Sequence, residues 1–155
     1  MPTIVPIIVR FLHDVFTATW IGGLILMVLV ILPGLKKNPQ VKEPKVALRA
    51  VQKRLKVAAI VSMIGLALTG MLLSNRSTGF EGLFNFSTPF GTVLSIKHVL
   101  MLVMVVLAVI RLALNKKNES LNSARVEKSS MLVLVVNAIC GLVVLFLSAY
   151  LSVGF

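Results

Sequence analysis

Residues 9–31, "VRFLHDVFTATWIGGLILMVLVI", decide what kind of protein this is. The stretch exceeds the roughly 20 residues that a helix needs to cross the hydrocarbon core of a bilayer, yet Arg10, His13 and Asp14 fall in its first half. A core helix of a small soluble domain is rarely apolar for so long, and a passive anchor has no use for three ionisable groups. Charge inside a span is costly enough to make function the default reading of such residues.

Outward from this stretch the rest of the chain has the same character. Its 155 residues are 57% hydrophobic and 14% charged, with a mean hydropathy of +0.98, more apolar content than one small soluble core hides. Four windows meet the span criterion, at about 4–33, 55–75, 90–114 and 131–154. They leave no room for a soluble domain. The opening "MPTIVPIIVR" lacks the basic start of a cleaved signal peptide, so the first window is expected to stay in the mature protein. Cys140 is the one cysteine and lies within the fourth window, which excludes an intramolecular disulfide.

The net charge of +11 would suggest nucleic acid in a soluble protein, so its distribution matters. Lys36, Lys37, Lys42, Lys45, Arg49, Lys53, Arg54 and Lys56 lie between windows one and two, and Arg111, Lys116, Lys117, Arg125 and Lys128 at or after the end of window three. Between windows two and three only Arg76 is basic. The positive-inside rule makes the two basic loops cytoplasmic and puts both termini outside, along with the loop "NRSTGFEGLFNFSTPFG". The basic loops are read as topology determinants touching anionic lipid, with no nucleic-acid partner expected.

Backbone satisfaction in lipid makes the four windows helices. The expected fold is an all-α integral membrane protein, an up-down-up-down four-helix bundle in the plasma membrane, forming one domain. Pro33-Gly34 is expected to stop the first helix, "KVALRAVQKRLK" to be an interfacial lead-in to the second, and "NKKNESLNSARVEKSS" to join the third and fourth. Phe80, Phe84, Phe86 and Phe90 in the outer loop suit the headgroup region.

On a helical wheel Arg10, His13, Thr17, Trp20, Leu24 and Met27 share one face, with Asp14 on its flank. In window three Gly91, Ser95, His98, Met101 or Leu102, and Val105 form a matching stripe beside Lys97. His13 and His98 are the only histidines. With helices starting at Ile4 and Pro89, each lies about 13 Å below the outer end at 1.5 Å per residue. Helices one and three run the same way, so the imidazoles are expected at matched depth on diagonal partners roughly 11–14 Å apart.

That gap suits two axial ligands of one haem b. Arg10, Arg76 and Lys97 would then meet the propionates, and Trp20, Phe16 and Met101 would line the macrocycle. The blander alternative makes Arg10 and Asp14 an i, i+4 ion pair near the outer surface and Trp20 ordinary packing. Copper is the rival metal. Met27, Met63, Met71, Met101 and Met104 supply soft thioethers, and Met101-x-x-Met104 follows His98. No nucleophile–base constellation, phosphate-binding glycine loop or zinc spacing is visible, so hydrolase and nucleotide chemistry is not expected.

"LHDVFTATWIGGLIL", "ALTGMLL" and "FSTPFGTVLSIKHVLMLVMVVLAVIRL" together resemble the CopD-like membrane domain associated with copper resistance. More distantly they resemble the HemJ-type protoporphyrinogen oxidases, small four-helix membrane proteins with bound haem. The resemblance covers about residues 8–113 and carries over at His13, Trp20, Gly23, Gly70, Gly91 and Lys97. It implies copper passage through the CopD name and haem through the HemJ-like group. Here "ILPGLKK" lacks the arginine and following histidine of the HemJ-like first helix. The sequence therefore reads as a membrane haem protein for electron transfer or haem handling, with copper transport and porphyrinogen oxidation as alternatives. Its expected partners are the lipid bilayer and a redox partner or metal donor whose identity the sequence leaves open; a homo-oligomer is compatible with it.

Overall fold

The computed structural model describes residues 4–37, 43–74, 86–121 and 123–153. The described residues contain helices and no strand. Helix α1 spans Ile4–Leu26 and passes through a π-helical turn, Met27–Ile31, into the short α2, Leu32–Lys37. Then come α3, Pro44–Ser74, α4, Pro89–Leu121, and α5, Ala124–Val153. Four stretches are long and apolar enough to cross a membrane: Ile4–Leu35, Val46–Leu73, Pro89–Asn118 and Ala124–Val153.

Three boundaries differ from the sequence expectation, each for a local reason. Pro33 does not stop the first helix. A proline inside a regular α-helix lacks a donor and drives its ring into the carbonyl four residues earlier. Here the turn before it is opened to the π form, with the Leu32 N–H bonded to the Met27 carbonyl, and the wider turn makes room for the ring. The basic lead-in is also continuous helix with the second span, because Pro44 opens α3 and the Val46 and Ala47 N–H groups bond the Glu43 carbonyl at 3.1 and 3.2 Å. The polar segment 115–130, expected to be a connecting loop, is nearly all helix. Its lysines, glutamates and leucines are adequate helix formers, and Glu127 in the first turn of α5 complements the positive end of the helix dipole.

The start of α4 is specified by three residues. Thr88 Oγ1 accepts the Gly91 N–H at 3.1 Å, and Pro89 occupies the first helical position, where its missing N–H costs nothing.

The chain divides into two compact units, Met1–Thr78 and Gly79–Phe155. In the first, α1 and α3 pack as an antiparallel pair: His13, Phe16 and Gly23 meet Thr69, Gly65 and Leu55 in descending order. The Phe16 ring lies where a Cβ at Gly65 would stand, so this glycine is required by the close approach of the ring. Trp20, Ile21, Leu24, Met27 and Leu66 are buried. In the second unit, α4 packs on α5. Ser130 Oγ donates to Asn115 Oδ1 at 2.6 Å near the connection, and Met104, Leu134, Ala138 and Val144 are buried further along.

Candidate functional site

His13 lies on the face of α1 that meets α3. Its Nδ1 is 2.9 Å from Thr69 Oγ1, and a Cβ built on Gly70 would stand 3.8 Å from its Cε1. Thr69 is buried, and its hydroxyl donates to the Gly65 carbonyl at 2.6 Å. That back-bond to the preceding turn is how a threonine satisfies its proton where no water is at hand. Thr17, one turn below His13, uses the same device, donating to the His13 carbonyl at 2.8 Å.

His98 is held differently. Its Nδ1 is 2.7 Å from the Leu94 carbonyl oxygen, which can only accept, so Nδ1 carries the proton and the lone pair of the neutral ring falls on Nε2. A ring fixed through Nδ1–H to a backbone carbonyl is the usual second-shell support of a metal-ligating histidine. Ser95, buried one turn before His98, donates to the Gly91 carbonyl at 2.7 Å.

The other expected site residues are placed as follows. Arg10 Nε is 3.7 Å from Asp14 Oδ2, and both side chains are 65% exposed, so the two charges face outward together from α1. Trp20 is buried in the first unit on the same stripe as His13. Lys97 is half-buried beside His98. Arg76 and most of the phenylalanine-rich loop lie outside the described residues. Met101 is half-buried and Met104 fully buried. At about 100° per residue, Met101 is turned roughly 60° from His98 around α4 and Met104 roughly 120°. Met101 is therefore the nearer thioether. Among the described residues no group of three or more His, Cys, Asp or Glu side chains clusters as a metal site.

Sequence reasoning missed Thr69, whose signal was a lone hydroxyl beside Gly70 in an otherwise apolar turn. It also missed a line of polar groups in the second unit. Asn137 is only 1% exposed, with no hydrogen-bond partner for its Oδ1 among the described residues, and the same holds for Arg111 Nε and Nη2 and Asn118 Oδ1. Arg111, Asn115 and Asn118 follow helical spacing on α4, which was visible in the sequence; the three residues are half-buried, and which of their polar atoms are covered was not visible.

No curated protein and no solved structure matches the chain. The family model described as copper resistance protein D matches residues 49–151. The match takes in most of α3, all of α4 and nearly all of α5, including Thr69, His98, Met101 and Met104, and leaves out α1 with His13. Its extent thus differs from the motif-based resemblance over 8–113, which credited the fourth span by hydropathy alone. With two thirds of its length matched and four helices of membrane-crossing length, the chain is a multi-pass membrane protein and belongs to the copper resistance protein D family.

Proposed function

We propose that this protein handles copper in the membrane, taking Cu(I) as its cargo through imidazole and thioether donors. The observation that carries the reading is the way the chain holds His13 and His98: the Nδ1 of His13 is engaged by Thr69 Oγ1, and the Nδ1–H of His98 by the Leu94 carbonyl, which puts the lone pair of the neutral His98 ring on Nε2. Neutral imidazole and methionine sulfur are ligands suited to Cu(I), and their low charge lets an ion enter and leave a site set in lipid. The proposed donors are His98 with Met101 on α4 in the second unit and His13 on α1 in the first, each taken within its own unit. The family supports copper over haem b, the cofactor that the depth argument alone favoured. Arg10 is left to its pairing with Asp14 in this reading, because its outward direction serves the ion pair. Trp20 serves as packing in the first unit, and Lys97 is a positive charge adjacent to His98 in the second.

Metal and porphyrin content of the same preparation test the reading. Protein purified from copper-replete cells should carry copper and give no pyridine haemochrome. Stoichiometric haem without copper would overturn the proposal in favour of a bis-imidazole cytochrome.

A further inference from the structure

Thr69 has a role that neither the family nor the histidine pattern assigns. Its hydroxyl owns one proton. The Gly65 carbonyl, 2.6 Å away, can only accept, so that proton is spent there, and a second carbonyl, that of Leu66, lies on the same side at 3.4 Å. The remaining short contact, to His13 Nδ1 at 2.9 Å, must then run the other way, with the imidazole donating and Thr69 accepting. The opposite assignment would leave two oxygens 2.6 Å apart with no hydrogen between them. Thr69 is 6% exposed, so water does not compete for either bond.

We infer that Thr69 is a positioning residue that sets the tautomer of His13, protonating Nδ1 and placing the lone pair on Nε2. A neutral histidine free in water prefers the proton on the other nitrogen, so the chain must impose this form. It does so with a three-atom relay: the Gly65 carbonyl orients the hydroxyl, the hydroxyl oxygen takes the ring proton, and the ring offers Nε2. α3 thereby dictates the coordination chemistry of a residue on α1. The role of Nε2 as a copper donor rests on the proposed function; the tautomer itself does not.

The two claims separate in one set of experiments. Nitrogen-15 NMR of histidine-labelled, metal-free protein in nanodiscs, at about pH 8 where an ordinary imidazole is neutral, reads which ring nitrogen carries the proton. The expected result is Nδ1–H for His13 in the wild type and in Thr69→Ser, which keeps the hydroxyl. In the isosteric Thr69→Val the signal shifts toward Nε2–H, while His98, bonded to the Leu94 carbonyl, is unchanged, and unaltered fluorescence of Trp20, buried in the same unit as Thr69, reports an intact α1–α3 pair. Nε2–H in the wild type, or Nδ1–H persisting in Thr69→Val, would overturn the inference. Cu(I) affinity measured on the same samples is expected to fall about tenfold or more in Thr69→Val and to recover in Thr69→Ser, in the range usual for loss of a ligand's second partner. A tautomer that shifts with no change in copper affinity leaves the positioning role standing and removes His13 from the copper reading.

Discussion

At His13 the chemistry of the ring is decided by an atom fifty-six positions away in the chain. The stripe that carries it, with Trp20, Leu24 and Met27, was legible from helical spacing, and all three of those residues are buried. Thr69 was not legible, because a bond between two helices depends on their register, which one sequence does not display. Neighbouring glycines show the same dependence. Gly65 carries Phe16 where a Cβ would stand, whereas a Cβ at Gly70 would make ordinary contact with His13. Gly65→Ala should therefore destabilise the α1–α3 pair by about 1–3 kcal/mol, the usual cost of forcing extra volume into a packed seam. Gly70→Ala should be close to neutral. Unfolding in mixed micelles checks both, and equal effects would contradict the packing described here. Arg10 shows where sequence reasoning stopped: spacing offered it either Asp14 or a cofactor, and the structure puts its Nε 3.7 Å from Asp14 Oδ2.

Among the elements, α4 is the most strongly specified, through Thr88, Pro89 and the bond from Gly91. Thr88→Ala should cost about 1 kcal/mol and fray the first turn, whereas Thr88→Ser should retain the cap. Amide exchange at residues 90–93 reads this directly, and unchanged protection in the alanine variant would show that the cap is not needed. The first span makes the opposite point. Pro33-Gly34 signalled a stop by rules written for regular α-helix, and the π-helical turn at Met27–Ile31 defeats them by widening the ladder before the proline arrives. On α5, Asn137 keeps a buried oxygen without a partner among the described residues. Leaving such a group unmet costs about 1–3 kcal/mol, so Asn137→Leu should raise stability. Lower stability would contradict this reading of the oxygen.

Across the whole molecule, the large apolar side chains that a soluble protein would hide are outside. Phe11, Leu29, Val109 and Phe146 are 64%, 68%, 59% and 70% exposed, as expected when lipid is the solvent. Hydropathy made this legible without any structure, and so it gave the four spans. What it did not give is the cargo, because the same two histidines suit a porphyrin or a soft metal ion equally well by spacing. The distribution of lysine and arginine further predicts that a reporter enzyme active only outside the cytoplasm will work when fused after Phe155 and fail when inserted near Pro44.

What His13 and His98 bind decides between copper and haem. Titration of Cu(I) against a competing chelator, with wild type, His13→Ala and His98→Ala in nanodiscs and a pyridine haemochrome on each sample, measures it in one series. The expected result is stoichiometric copper in the wild type, affinity lower by about tenfold or more in each variant, and no haem in any of them. Copper affinity that is indifferent to both substitutions, or haem that is lost with either histidine, would contradict it.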